Sequence, residues 1–233
     1  AHAVTIFFSI NFLDLAEAAE HCIVSHSPGM SSSVIGISGK TTLAEHLATR
    51  LRDEGVRVEI VHQDWHWQRS SLNKTAEGKR TWEGPQFTDW AWLEWSVMEA
   101  KQRASVVIVA GYLLNDCSTA LFDSLDLLFL VESTKEQCLS RRTSFPSDWP
   151  SSMAYAEACV WPVHEEYMHR AAQRMASPPE KLCNMKAAPV LRLPVDQDTS
   201  TRAAFAWTTI PSNVVRLASH RSQDEPSPVQ FAS

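Results

Sequence analysis

From Ser33 onward the chain alternates between short, nearly continuous apolar runs and longer stretches in which apolar residues recur every three or four positions. The runs at 33–38, Val56–His62, Val106–Val109, Leu125–Val131 and Val190–Leu193 lack the every-second-residue polarity of a half-exposed strand. They therefore predict strands covered on both faces. Leu43, Leu47 and Leu51 predict a helix over 40–54, closed by Gly55. Helical spacing returns over Pro85–Arg103, where Trp92, Trp95 and Met98 could line one face, and again over Thr134–Thr143 and Ala154–Met175. Residues 64–84 read as polar and irregular. Four or five buried strands separated by helices predict a three-layer α/β domain, a mainly parallel sheet with helices on both sides. Ligands of such sheets bind at the carboxyl ends of the strands. That rule points to Ser38–Thr42, His62–Asp64 and Ala110–Tyr112.

The pattern bounds one domain over about 31–217, with a short lid near the Pro/Ser-rich stretch 143–155. Residues 1–30 read as a poorly ordered N-terminal extension and 218–233 as a disordered tail. Ile6–Leu13 is apolar but too short to span a bilayer, and it lacks the basic flank of a signal peptide. Met30, directly before Ser31-Ser32-Ser33, reads as a start of translation.

Composition narrows the function classes. The 233 residues are 44% hydrophobic and 21% charged, ordinary for a globular domain. A formal net charge of −6 and the lack of any Lys/Arg cluster argue against nucleic-acid binding, and no segment predicts membrane insertion. The five cysteines are scattered and form no C-x-x-C pair, which implies reduced thiols in a cytoplasmic compartment.

The most telling chemistry lies in Val34-Ile35-Gly36-Ile37-Ser38-Gly39-Lys40-Thr41-Thr42-Leu43. A strand, small residues, Gly-Lys-Thr and a helix start form the arrangement that holds nucleotide phosphates on backbone N–H groups. Its Lys reaches the β/γ oxygens and its Thr holds Mg²⁺. The full pattern requires four residues between the first Gly and the Gly-Lys pair. Here only Ile37 and Ser38 separate Gly36 from Gly39. Residues borrowed from the strand would not fill the gap cheaply, because an odd shift turns its core face outward and an even shift pulls Ile35 from the sheet.

Asp64, after the second strand, can take a proton from a substrate hydroxyl or hold Mg²⁺, or it can simply cap a turn. His62, Asp64 and His66 alternate as metal ligands do on an extended segment, without a third imidazole or thiolate in support. Glu83, beside Trp82, suits a ribose diol under a stacked base, or a helix cap. Arg141 and Arg142 can close over phosphates, or pair with their own helix end.

Taken in order, these pieces resemble the nicotinamide riboside kinases, within the uridine-kinase-like group of phosphate-loop nucleoside kinases. The resemblance runs over about 33–170. It comprises Ile35–Gly39 with Lys40–Ala44, His62-Gln63-Asp64, Trp82-Glu83, Gly111–Leu114, Glu136-Gln137-Cys138 with Arg141-Arg142, and Val160-Trp161-Pro162 with Tyr167. It implies ATP-dependent phosphorylation of a nucleoside 5′-hydroxyl, with Lys40 and Thr41 serving ATP phosphates and Mg²⁺, and Gly39 and Thr42 in the same loop. Asp64 would be the general base, Glu83 would hold the ribose hydroxyls, and Arg141 and Arg142 would belong to the lid. The chain departs from the family at several points. About five residues are absent after Ser38, Ala110 stands for a Glu near the metal, Phe145 for a lid Arg, and Glu157-Ala158-Cys159 for Asp-Gly-His. Ala110 and Phe145 favour a degenerate relative, kept as a binding or interaction module, over a faulty gene model of an active kinase.

Overall fold

The computed structural model describes residues 32–39, 41–68, 73–74, 80–81, 83–144, 152–176, 190–193 and 198–210. The predicted extension and tail, most of the predicted lid, and Lys40, Trp82 and Phe145 lie outside the described residues.

The apolar runs become strands β1 (Ser33–Ser38), β2 (Val58–His62), β5 (Val106–Gly111), β6 (Leu127–Val131) and β7 (Val190–Leu193). A short antiparallel pair, β3 (Asn73–Lys74) and β4 (Arg80–Thr81), sits within the stretch read as irregular. The five long runs form one parallel sheet in the order β2-β5-β1-β6-β7. Helix α1 (Thr41–Asp53) follows β1, α2 (Trp90–Arg103) precedes β5, α3 (Thr119–Ser124) precedes β6, and α4 (Lys135–Ser144) follows it. Helices α5 (Trp161–Ala176) and α6 (Thr199–Thr209) complete the layers.

Parallel strands expose no face, so each strand sorts its residues between two cores. Ile35, Ile37, Ile108 and Phe129 pack with Leu43, Leu47 and Leu51 of α1 and Ala206 of α6. Val34, Val107, Val109 and Leu128 pack on the opposite face with Leu93 and Val97 of α2 and Leu121 of α3. Each buried Val, Leu, Ile or Phe among them contributes roughly 1.5–3 kcal/mol through removal from water. The core stripe of α2 is Leu93, Val97 and Ala100. Trp92, Trp95 and Met98 do share a face, but it is the outer one, where they are 47%, 59% and 65% exposed.

With β1 between β5 and β6, the chain leaves the central strands in opposite directions and opens a crevice at their carboxyl ends. The pairing of β1 persists to its last residue, with Ser38 opposite both Gly111 and Leu130. No residue is drawn out of the strand to lengthen the loop. Only Gly39 and Lys40 join β1 to α1.

Candidate active site

A cleft of about 810 Å³ opens at the carboxyl ends of the strands, lined by Ser38, Gly39, Thr41, Thr42, Asp64, Trp67, Glu83 and Tyr112 on one side. Its other wall is mostly helical: Cys138, Arg141 and Arg142 on α4 with Ser133 just before it, and His164 and Tyr167 on α5 with Val160 in the turn that leads into it. The structure thus gathers Gly39, Thr41, Thr42, Asp64, Glu83, Arg141 and Arg142 around one space.

The loop is drawn tight. Gly39 has φ +149°, and a Cβ there would lie 2.4 Å from Val131 Cβ, so glycine is required by both backbone and space. Its N–H donates to the Gly111 carbonyl at 2.8 Å. Ser38 Oγ donates to the Tyr112 carbonyl at 3.0 Å and lies 2.5 Å from Tyr167 Oη. Since the serine has one hydroxyl proton, Tyr167 must donate to it. Tyr167 in turn accepts from the Asn115 N–H at 3.2 Å. Full burial pushes the Tyr167 phenol above its ordinary value, so it remains a neutral member of this chain. Two groups that a phosphate cradle would offer to an anion are therefore engaged inside the protein. Thr41 and Thr42, in the exposed first turn of α1, face the cleft with that helix's N-terminus.

Asp64 occupies a 3₁₀ turn, Gln63–Trp65, directly after β2. Gln63 anchors that turn, its Nε2 donating to Thr88 Oγ1 at 2.8 Å and its Oε1 accepting from the Leu113 N–H at 3.3 Å. Gly111 leaves room for this side chain, because a Cβ there would meet Gln63 Oε1 at 2.1 Å. Asp64 is exposed along the cleft, with protein crowded around it. Desolvation raises its pKa above the usual carboxylate value, and the charges of His62 and Arg142 oppose the rise.

Glu83 is buried and accepts from Arg142 Nη2 at 2.8 Å, Tyr155 Oη at 3.1 Å and Tyr112 Oη at 3.4 Å. The two residues expected at ribose and phosphate are thus paired with each other. Burial, and then the Glu83 carboxylate, hold the Tyr112 phenol well above its ordinary value. Arg141 donates to Ser133 Oγ at 3.1 Å. Burial and Glu83 raise the Cys138 thiol against the pull of Arg141 and Arg142, so it stays protonated.

The alternating His62, Asp64 and His66 do not converge. The ring of His66 is tied to the His62 carbonyl and to Ser96 Oγ, both at 2.8 Å. Among the described residues no cluster of three His, Cys, Asp or Glu could hold a metal. Ala110 is buried in the core and offers no carboxylate. Thr41 and Asp64 remain as oxygen donors on the cleft, a set suited to Mg²⁺, which is bound through few protein ligands together with phosphate oxygens and water.

Sequence reasoning did not find His164 or Tyr155. The signal for His164 was spacing: Val160, His164 and Tyr167 lie four and then three residues apart, one face of a helix. A π-helical turn, Ala156–Val160, sets that face, with the Trp161 N–H reaching back five residues to the Ala156 carbonyl. Pro162 explains the wider turn, because it has no N–H to give Ala158 and its ring crowds that carbonyl.

No family model matches the chain, and no curated protein matches it in sequence. Solved structures do. A protein of Silicibacter sp. TM1040, described as a fructose transport system kinase, aligns over 78% of this chain and 99% of its own at 15% identity, with a TM-score of 0.50. A Bacillus stearothermophilus protein described as a uridine kinase aligns over 78% and 100% at 16% identity, TM-score 0.44. A gluconokinase from Sinorhizobium meliloti 1021 aligns over 84% and 99% at 12% identity, TM-score 0.42. At these identities the likeness is one of fold alone, a parallel sheet covered on both faces by helices.

Proposed function

We propose that the chain transfers the terminal phosphoryl group of ATP to the 5′-hydroxyl of a nucleoside, with nicotinamide riboside the first candidate and nicotinamide mononucleotide the product. One observation carries this reading: Asp64, the first turn of α1 and Arg141 open onto a single cleft at the carboxyl end of the sheet. ATP bound with Mg²⁺ supplies the phosphoryl group. Asp64 accepts the proton of the attacking hydroxyl, and its raised pKa makes it the stronger base. Thr41 offers its hydroxyl to the metal. Lys40, Arg141 and the α1 N-terminus answer the charge on the phosphoryl oxygens. Glu83, held by Tyr112 and Tyr155, presents the polar wall for the ribose, next to Trp82 in sequence. The free thiols of Cys117 and Cys138 suit a reducing, cytoplasmic setting. Among the described residues no helix is long and apolar enough to cross a membrane.

A second reading is a non-catalytic nucleotide-binding or interaction module. The internal engagement of the Gly39 N–H and the buried methyl of Ala110 favour it. Following ³¹P resonances of ATP·Mg²⁺ mixed with nicotinamide riboside or uridine separates the two. Product formed by the parent and lost in Asp64→Asn supports the kinase. ATP binding without product from either nucleoside supports the module.

A further inference from the structure

Buried polar atoms without hydrogen-bond partners are few in folded proteins, and each calls for a cause. Among the described residues two of them line the cleft: Arg142 Nε on α4 and His164 Nε2 on α5. They belong to helical segments that pack together around the π turn. Arg142 uses Nη2 on Glu83, which fixes the guanidinium and leaves Nε–H unspent. His164 packs its ring near Trp161, with centroids 5.5 Å apart. It stands one turn from Tyr167, which is anchored to Ser38 at the end of β1. Neither side chain is free to swing into water without breaking those contacts. Burial keeps the imidazole neutral, so Nε2 can carry a proton as a donor.

We infer that Arg142 Nε and His164 Nε2 form a two-donor subsite for a phosphoryl group on the helical wall of the cleft, across from the shortened loop. Two N–H donors, one fixed on a cationic group, call for an oxygen-rich anionic acceptor. Such a group could be the terminal phosphates of a nucleoside triphosphate or the phosphate of a nucleoside monophosphate. The inference rests on reading the cleft as a phosphate-handling site. It adds His164, a residue that the resemblance does not supply, and it assigns the wall a task that the loop performs in full-length phosphate loops.

The test uses the full chain. Histidine ring ¹⁵N spectra are recorded with sodium tripolyphosphate, with ATP·Mg²⁺ and with nicotinamide mononucleotide, and affinities are measured by calorimetry. The Nε2 resonance of His164 should move with tripolyphosphate. His164→Phe, which keeps an aromatic ring, should weaken its binding about tenfold or more, the scale of one bond to a charged acceptor. His164→Gln, which retains an N–H donor, should recover most of that loss. Arg142→Lys keeps the charge for Glu83 but lacks Nε–H, and its effect should not add to that of His164→Phe. Loss mainly for ATP·Mg²⁺ identifies the donor phosphates as the occupant, and loss mainly for the mononucleotide identifies the product phosphate. Parent affinity in His164→Phe, an unmoved Nε2 signal, or no binding of any phosphate compound overturns the subsite. The kinase reading fails separately. A His164-dependent phosphate site without nucleoside turnover sinks that reading and spares the subsite. Full turnover and affinity in His164→Phe does the reverse.

Discussion

The two walls of the cleft treat an incoming anion in opposite ways. On the strand side, the Gly39 N–H is bonded to Gly111 and the Ser38 hydroxyl to Tyr112 and Tyr167, so the loop has turned its donors inward. On the helical side, Arg142 Nε and His164 Nε2 keep their hydrogen-bonding capacity while already out of water. A phosphate cradle normally draws its strength from backbone groups of the loop. Here that capacity has moved toward side chains of two helices. The difference follows from chain length: with two residues between β1 and α1, the shortest path for the backbone is a bond to the neighbouring strand.

The most forceful way to break this contrast is to lengthen the loop. Inserting residues after Ser38 to restore Gly-x-x-x-x-Gly-Lys-Thr should free one or two charge-assisted bonds, each worth roughly 1.5–3 kcal/mol. Affinity for ATP·Mg²⁺, measured by calorimetry, should then rise by about one to four orders of magnitude. Micromolar binding by the unmodified chain would mean that the short loop is no handicap.

Asp64→Asn comes next, because both walls matter only if the reaction happens between them. Nucleoside turnover should fall by about 10²-fold or more. Since desolvation raises this carboxyl's pKa, activity should decline on acidification at a pH above the ordinary carboxylate value. Stability responds in the opposite sense. The group favours the folded state below its unfolded pKa, and that contribution is lost as pH rises through the raised folded value. Asp64→Asn should therefore unfold no more easily than the parent at neutral pH, as denaturant titration would show. Unchanged turnover in the variant removes Asp64 from the role of base.

A smaller effect sharpens the strand side. Tyr167→Phe leaves Ser38 Oγ and the buried Asn115 N–H without their shared partner. The expected loss is about 1–3 kcal/mol in urea unfolding. A loss under about 0.5 kcal/mol would show that these bonds do not fix the loop.

The smallest effect is expected on the outer face of α2, beside a large one on its inner face. Leu93→Ala should cost about 2–5 kcal/mol, whereas Trp95→Ala on the outer face should change stability by less than about 0.5 kcal/mol. Equal losses at the two positions would contradict the burial pattern.

Much of this architecture was legible in the residues. All five buried runs became strands of the parallel sheet, and β1 and β7 matched their predicted limits, because a continuous apolar run bounded by polar loops has few other uses. The site was legible as a place: Gly39, Thr41, Thr42, Asp64, Glu83, Arg141 and Arg142 do share one cleft. Its wiring was not. That Arg142 would bond Glu83, 59 positions away, depends on how α4 lies across the sheet, and local pattern carries no such information. The outward turn of Trp92, Trp95 and Met98 escaped notice for another reason, since tryptophan counts as apolar in any spacing argument but tolerates water through its amphipathic ring. Helices α3 and α6 were missed as well, the first being only six residues long and the second opening on Thr-Ser-Thr, weak helix formers.

The bonds through Tyr167 also say something about how the molecule can move. Asn115, Tyr167, Ser38 and Tyr112 are linked in sequence, each donor passing to the next acceptor. They join helix α5 to the end of the central strand as one mechanical body. If the cleft narrows around a substrate, α5 cannot advance without dragging the sheet's middle strand with it, so it behaves as the fixed jaw. The other helix is tied less firmly: α4 buries only Leu139 and meets the opposite side through the Arg142–Glu83 ion pair. That pair then acts as a latch: it sets the resting gap, and whatever competes for Arg142 releases it.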